Sequence, residues 1–382
     1  MNQFIFILGK NPILSLAELI AYLEVRCEFR IVENMNEFCI IETHQLPVNI
    51  LMKNLGGMLK IGCVLASEDL EKYVQENCME LFKNVPDKSF FSISCFSNDA
   101  DFITDELKRQ GIESRCKLNM THTDIVKNRI LENSIELLLC KAGDRIYLGK
   151  TLYVHNPFEF KKRDIGRPEQ RSMYSIPPRL CRIMINLSGI KNGILLDPFC
   201  GTGSILQEAA MMGFDVRGLD TDRKCIEACI KNLKWIKKEY RIKIDSVGDK
   251  IKHGDARKIS TFFNEQAGLI VTEPDLGPAL KRNPKFREAE RILKNLSSLY
   301  ETSLKEMTNV LKPDGKIVMV TPCFETESGQ IGIDMKILAE KTGLHIIDPL
   351  EKYKIAHNFP FLDYEERHRT IRQINVMELR RK

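Results

Sequence analysis

A short run of residues near the middle of the chain has the composition of a ligand-binding turn. Asp197 follows an apolar segment, and Gly201 and Gly203 come shortly after it, before a helical pattern that begins near Ser204. Glycines here let the backbone approach a ligand closely, and a helix that starts here presents free N–H groups. The pattern predicts a nucleotide-type ligand at the end of a buried strand. A purely structural glycine turn is the alternative.

Two further acids end the next two predicted strands. Asp220 is placed to accept hydrogen bonds from ribose hydroxyls. Asp255, followed by Ala256, suits an adenine amine or a helix cap equally well. The turn reads D-P-F-x-G-x-G and lacks the G-x-G-x-x-G of dinucleotide sites. An acid beside the turn disfavours a pyrophosphate and suits a cation, so S-adenosylmethionine is the favoured ligand.

The elements that position these residues alternate after residue 190. Strands are predicted at 193–197, 215–220, 269–272, 316–321 and 371–379. Helices are predicted from about 204, at 223–237 and at 288–311. Short apolar strands that alternate with helices are typical of an α/β fold with a buried, largely parallel sheet.

The N-terminal part mixes strands and helices more irregularly. Strands are predicted at 4–8, 38–42, 90–95, 136–141 and 145–150. Helices are predicted at 15–23, 47–55, 100–110 and 123–133. Proline and glycine then interrupt regular structure repeatedly over residues 155–178, which predicts a linker.

Composition places the chain among globular proteins. It has 382 residues, 43% hydrophobic and 29% charged, which suits two or three domains. The twelve cysteines include no C-x-x-C pair, so no metal site is predicted and free thiols in a reducing cytoplasm are expected. No apolar run reaches the roughly 18 residues of a membrane span, and the first residues lack the pattern of a secretory signal.

The net charge of +5 is concentrated in the middle of the chain. A basic cluster in and beside the predicted linker suits contacts to a phosphate backbone. Its members are Lys161, Lys162, Arg163, Arg167 and Arg171. A solvated linker and helix face is the alternative that charge alone leaves open.

Taken together, these segments resemble the THUMP-domain-containing tRNA guanine-N2 methyltransferases, a class I family dependent on S-adenosylmethionine. The segments that carry the resemblance to the methyltransferase motifs are Asp197-Pro198-Phe199-x-Gly201-x-Gly203, Asp220 and Gly254-Asp255-Ala256. The linker from Arg163 and the segment from Pro177 to Leu187 resemble the region ahead of the first motif, and residues 143–151 resemble the end of a THUMP domain.

The resemblance implies a domain order and a reaction. It implies a ferredoxin-like subdomain at 1–60, a THUMP domain at 61–154, a basic linker at 155–178 and a Rossmann-like methyltransferase domain at 179–382. The expected reaction converts a tRNA guanosine to N2-methylguanosine or N2,N2-dimethylguanosine, with S-adenosylmethionine as cofactor. Some members of the family use a small activator protein, and the sequence leaves that need open.

The catalytic motif departs from the family pattern. The family has D/N-P-P-Y/F, whose acid and proline carbonyl accept hydrogen bonds from the amine while the ring stacks on the flipped base. Here the matching residues are Glu273, Pro274, Asp275 and Leu276. Loss of a stacking ring costs roughly 1–3 kcal/mol of base affinity. The candidate replacement rings are Phe286, Phe324 and Phe359.

Three functions therefore compete. The first is an active variant in which Glu273 and the Pro274 carbonyl orient the amine, with Asp275 assisting. The second is a tRNA- and cofactor-binding homologue without this chemistry, or a partner-dependent subunit. The third, a DNA amino-methyltransferase, is disfavoured by the THUMP-like N-terminus and by the lack of an obvious target-recognition insertion.

Overall fold

The computed structural model describes residues 1–382 except for residues 45, 84, 87–88, 97–100, 110–114, 171–174, 366–367 and 381–382. The chain forms two compact units. The first contains Met1–Leu16 and Arg26–Glu159, and the second contains Ala17–Val25 and Phe160–Lys382. The main division, after Glu159, falls inside the predicted linker. No helix in the described part of the chain is long and apolar enough to cross a membrane.

The first unit is built on one mixed sheet. Its strands are β1 (Asn2–Leu8), β2 (Phe29–Asn34), β3 (Phe38–Thr43), β4 (Met58–Ala66), β5 (Phe91–Phe96), β6 (Cys116–Leu118), β7 (Glu136–Ala142) and β8 (Arg145–Val154). The helices that begin in it are α1 (Pro12–Glu24), α2 (Val48–Asn54), α3 (Leu70–Phe82), α4 (Asp101–Arg109), α5 (His122–Lys127), α6 (Ile130–Asn133) and α7 (Pro157–Asp164).

The strands of this sheet lie in the order β2-β3-β1-β4-β8-β7-β5-β6. Strand β4 crosses the boundary predicted at residue 60 and pairs with both β1 and β8. One sheet therefore runs through both segments predicted for this half. The single helix predicted over 123–133 is instead the two helices α5 and α6, because the chain turns at Arg129, whose φ is +51°.

The second unit carries the alternating pattern. Its strands are β9 (Ile194–Asp197), β10 (Asp215–Asp220), β11 (Ile251–His253), β12 (Ala267–Thr272), β13 (Leu311–Thr326), β14 (Gly329–Gly332), β15 (Leu344–Ile346), β16 (Phe361–Asp363) and β17 (Thr370–Leu379). Its helices are α8 (Pro178–Leu187), α9 (Ser204–Met211), α10 (Arg223–Glu239), α11 (Val247–Lys250), α12 (Phe286–Val310) and α13 (Met335–Lys341), with 3-10 turns at Ala256–Thr261 and Glu351–Tyr353.

The strand order of the second sheet locates its ligand crevice. The strands run β11-β10-β9-β12-β13-β17-β15, and β14 and β16 pair at the side with β13 and β17. Strands β9 to β13 on this path are parallel, and β17 is antiparallel to β13. The direction of winding reverses between β9 and β12. In open α/β sheets, ligands bind beyond the carboxyl ends of the strands at this reversal.

Helix α12 fixes the segment that follows β12. Its buried side recurs at helical spacing and packs on the sheet with apolar side chains of β12 and β13. The buried residues on this face include Leu293, Leu296, Tyr300 and Leu304. The predicted linker is not free of regular structure, since α7 occupies about its first third.

Candidate active site

The glycine turn after β9 has the backbone geometry that glycine supplies. Gly201 has a φ of +50° and Gly203 a φ of +88°, a left-handed region that side chains disfavour. A Cβ on Gly203 would lie 2.6 Å from the Cys229 sulfur, whereas nothing lies within 4 Å of a Cβ on Gly201. Space is thus open beside Gly201, and α9 begins directly after Gly203.

Asp197 lies at the bottom of this turn and is 1% exposed. Its Oδ1 accepts a hydrogen bond from the Phe199 N–H at 3.1 Å and from the Thr272 hydroxyl at 2.8 Å. Burial raises the pKa of Asp197 to about 7, and the nearby Asp220 and Glu273 charges add to that rise against the two hydrogen bonds. A cationic ligand beside this acid would favour its ionised form, because an opposite charge lowers the pKa of a carboxyl group.

Asp220, predicted to bind ribose, also shapes the turn. Its Oδ2 accepts from the Gly201 N–H at 2.8 Å, and its Oδ1 accepts from the Asp222 N–H at 2.8 Å. Each carboxylate oxygen has two acceptor positions. The side chain therefore ties the turn to the end of β10 and keeps acceptor capacity for a ligand.

Asp255 caps the 3-10 turn that follows β11. Its Oδ1 accepts from the Arg257 N–H at 2.9 Å, and the Arg257 guanidinium contacts its Oδ2 at 2.6 Å. The side-chain hydrogen bond from Arg257 is the main cause that lowers the pKa of Asp255. Of the two roles that the sequence left open, the structure displays the cap, while Ala256 beside it is buried. The adenine role stays a prediction.

Three hydrogen bonds anchor the segment matched to the catalytic motif at and after the end of β12. Thr272 is bonded to Asp197, Glu273 Oε1 accepts from Arg372 Nε at 2.6 Å, and the Tyr300 hydroxyl donates to the Asp275 carbonyl at 2.6 Å. The segment therefore has one defined conformation beside the cofactor motif.

The side chains of this segment differ in exposure. The Glu273 side chain is 11% exposed and Pro274 is buried, whereas Asp275 faces solvent. The Asp275 carboxylate accepts from the Gly277 N–H at 2.9 Å, so part of its capacity serves the turn. Leu276 is half-buried.

The rings proposed to replace the missing aromatic have different environments. Phe324 is fully buried in the core, so its candidacy is wrong. Phe359 packs edge-on against Phe361, with ring centroids 5.1 Å apart. Phe286, at the start of α12, is 39% exposed. Tyr364, which the sequence reasoning missed, is 50% exposed, and its hydroxyl accepts from Gln330 at 3.0 Å.

Two of the predicted RNA contacts are corrected by burial. Arg163 is 3% exposed and forms a two-point ion pair with Glu208, at 2.6 and 3.2 Å. Arg167 is also 3% exposed and donates to the Ser204 and Ser175 hydroxyls at 2.6 and 2.5 Å. Neither guanidinium is presented to solvent, so neither suits a phosphate contact.

The other three basic residues of that cluster stand differently. Lys161 and Lys162 are exposed on α7, and Lys162 pairs with Glu239. Arg171 lies outside the described residues. Lys161 and Lys162 therefore remain predicted RNA contacts, on the end of a helix rather than in an extended linker.

Arg372 is the residue of this site that sequence reasoning missed. It lies 99 residues after Glu273, on β17, and its side chain is only 8% exposed. An arginine on a strand whose neighbours Ile371 and Ile374 are buried is the one local signal that marks it. The distance along the chain gives no indication of its partner.

The strand order, the glycine turn and the acids at the strand ends define a class I methyltransferase that depends on S-adenosylmethionine. Residues 168–327 match a family model described as an RMKL-like methyltransferase domain. The crystal structure of TrmN from Thermus thermophilus has the same fold, with a TM-score of 0.56 and 14% identity over 99% of this chain and 100% of that one.

Relatives with more similar sequences define the family. A tRNA (guanine(10)-N2)-dimethyltransferase from Methanothermobacter thermautotrophicus is 28% identical over 85% of this chain and 90% of its own. A probable tRNA (guanine(10)-N2)-dimethyltransferase from Methanothermococcus thermolithotrophicus is 30% identical over 46% of this chain and 94% of its own. The chain belongs to the family of tRNA guanine-N2 methyltransferases.

Proposed function

We propose that this chain methylates the exocyclic N2 amine of guanosine in tRNA. The hydrogen bond of 2.8 Å between Thr272 and Asp197 carries the proposal, because it joins the cofactor motif directly to the segment matched to the catalytic motif. Methyl transfer needs these two parts side by side, since the donor and the amine must be in contact.

The residues around the glycine turn fit S-adenosylmethionine. The backbone at Gly201 borders open space, and the second oxygen of Asp197 has no hydrogen-bond partner among the described residues. Asp197 would face the positive groups of the cofactor, and Asp220 the ribose. Pro198, Phe199, Gly203, Asp255 and Ala256 complete the proposed cofactor set.

The cofactor supplies an electrophilic methyl group on a positive sulfur. Glu273 and the Pro274 carbonyl accept hydrogen bonds from the guanine amine, which turns the nitrogen lone pair away from them. Held by Asp197, Asp220 and the turn at Gly201, the cofactor would supply the methyl group that this nitrogen accepts. The amine then loses a proton, with Asp275 as an exposed carboxylate nearby along the chain.

A surface of the first unit supports binding of tRNA. Phe90 is 48% exposed, and the Lys117 ammonium lies 4.3 Å from the centre of its ring. Both residues line a cleft of about 180 Å³ together with Arg129. An exposed ring beside positive charges suits unpaired nucleotides, which stack on the ring while their phosphates contact the cations. We infer that this cleft contacts unpaired nucleotides of tRNA.

The relatives are named for two methyl additions at guanosine 10, and we extend both features to this chain as part of the proposal. We place the reaction in the cytoplasm, because all twelve cysteines are free thiols. Dependence on an activator protein is tested by comparing turnover of the purified chain with turnover after cell extract is added.

The test uses purified protein, labelled S-adenosylmethionine and an unmodified tRNA transcript, followed by digestion to nucleosides. We expect N2-methylguanosine and then N2,N2-dimethylguanosine. A transcript with adenosine at position 10 is the matched control for position, and duplex DNA is the control for substrate class. Bound tRNA and cofactor without transfer, also in the presence of extract, would refute the proposal in favour of a binding protein.

A further inference from the structure

Arg372 lies between Glu273 of the catalytic segment and two further acids, Glu365 and Asp363. Its Nε donates to Glu273 Oε1 at 2.6 Å, and its Nη1 donates to Glu365 Oε2 at 2.9 Å. Asp363, paired with Arg372 across β16 and β17, has its Oδ2 3.9 Å from the same Nη1. A single guanidinium thus bridges the carboxylates of Glu273 and Glu365 and lies near that of Asp363.

The geometry leaves one oxygen of Glu273 for a substrate. Oε1 is bonded to Arg372, and Oε2 has no hydrogen-bond partner in the part of the chain that the structure describes. Glutamate has one more rotatable bond than the aspartate of the family motif, so an unsupported carboxylate would sample several positions. A misplacement of about 1 Å can cost about a hundredfold in rate.

We propose that Arg372 is a positioning residue for methyl transfer, which fixes the Glu273 carboxylate so that its Oε2 accepts a hydrogen bond from the guanine amine. The inference rests on the proposed function and assigns a role to a residue outside the catalytic motif. It also explains how a longer acid serves in the place of aspartate: the extra reach is fixed by a partner from the neighbouring part of the sheet.

The ionisation of Glu273 supports this role. Burial raises the pKa of Glu273, and the Arg372 charge and hydrogen bond oppose that rise. A protonated Glu273 would carry a donor in place of an acceptor, so activity must fall as the pH drops through this pKa. Removal of Arg372 therefore raises the pKa of Glu273, and the fall of kcat at acidic pH should begin at a higher pH.

Other groups face this pair and enter the interpretation of a pH profile. Asp197 on β9, Cys181 on α8 and Tyr300 on α12 each interact with the Glu273 charge. Asp164 on α7 interacts with Glu365. These groups are the same in all the variants compared, so a displacement between two profiles reports the substituted position.

The test compares R372M, R372K and a matched control, R217M. Arg217 is also a strand arginine of the second unit with a 9% exposed side chain and two carboxylate partners, Glu265 and Asp215. We expect R372M to lower kcat about a hundredfold. The pH at which kcat falls on the acidic side of its profile should rise by about one unit or more. R372K should return the acidic fall of kcat to nearly its original pH. R217M should have a kcat within about twofold of that of the unsubstituted enzyme.

A double substitution separates positioning from a general loss of structure. If Arg372 acts through Glu273, R372M/E273Q should have a kcat within about threefold of E273Q alone. The double variant also removes both charges, which protects it from an unpaired buried acid. Affinity for S-adenosylmethionine, measured by calorimetry, should change less than twofold in each variant.

Two results are decisive and distinguishable. The role of Arg372 alone would be overturned if R372M kept more than half of kcat and kcat fell at the same acidic pH as in the unsubstituted enzyme. It would also be overturned if the loss of kcat in the double variant equalled the product of the losses in R372M and E273Q. A failure of the unsubstituted chain to form N2-methylguanosine would overturn the proposed function, and the inference with it.

Discussion

Protonation of Asp197 should control the affinity for S-adenosylmethionine. Its pKa is raised to about 7 by burial, so about one molecule in eleven is ionised at pH 6 and about ten in eleven at pH 8. If the cationic cofactor binds the ionised form, its dissociation constant should be about tenfold lower at pH 8 than at pH 6. Isothermal titration calorimetry at constant ionic strength measures the difference.

The matched control is D197N. An asparagine oxygen can accept the same two hydrogen bonds, from the Phe199 N–H and the Thr272 hydroxyl, without a titratable group. Any titration of the cofactor itself appears in both proteins and cancels in the comparison. We expect a weak and nearly pH-independent affinity in D197N. Equal affinities at pH 6 and pH 8 in the unsubstituted protein would refute the reasoning.

The same carboxyl has a predictable effect on stability. A pKa above the unfolded value means that the folded chain binds the proton more tightly. The stabilisation is full below about pH 4 and is lost as the pH rises through about 7. It amounts to about 4 kcal/mol at most, for a shift of about three pH units. Urea unfolding of both proteins at pH 5 and pH 8 checks the sign, and a D197N curve with the same pH dependence would contradict it.

Three more substitutions test separate contacts. G203A should destabilise the fold by about 2 kcal/mol more than G213A in urea unfolding, because both positions have positive φ but only Gly203 also faces the Cys229 sulfur, at 2.6 Å; equal losses would contradict the packing argument. E208Q should cost about 3–5 kcal/mol, since it leaves two buried guanidinium groups without their shared anion; a loss below 1 kcal/mol would contradict it. L276Y should lower KM for tRNA about fivefold or more by restoring a stacking ring, and an unchanged KM would show that another group already stacks.

The parts of the fold that could be predicted are those with local signals. Strands β9 and β12 are short apolar runs that end in a polar residue, and their length together with the prolines that follow identifies them as buried strands. Strand β15 has only three residues and exists because β17 offers it a partner. Strand β2 has no buried residue, so no clear hydrophobic alternation marks it.

The cofactor site could be predicted from a local sequence pattern, whereas the catalytic site depends on residues far apart in the sequence. Asp197, Gly201 and Gly203 are neighbours in the sequence, and their spacing was sufficient to predict the turn. Glu273 was found by its position in a motif, but its partner Arg372 comes from a strand that pairs with β13 only in the folded sheet. No local pattern contains that pairing.

The basic cluster shows why charge was misleading. Arg163 is next in sequence to exposed lysines, and its burial depends on Glu208, which is 45 residues further on. Composition counts a buried, paired arginine and a solvated one alike. In the structure the Arg163 guanidinium lies over the Phe160 ring, 4.4 Å from its centre, and is closed off from water, whereas Lys161 and Lys162 are exposed.

The position of β17 in the sheet has a consequence for how this enzyme is made. It lies between β13 and β15, so β15 has no described strand to pair with until β17 has been inserted. Arg372 arrives on that same strand. During synthesis, the cofactor turn and Glu273 are translated before the counterion of that acid, since Arg372 follows Glu273 by 99 residues. If Arg372 positions Glu273 as proposed, a nascent chain without β17 carries the cofactor-binding elements while Glu273 lacks its counterion, and its rate of methyl transfer should be lower than that of the folded chain.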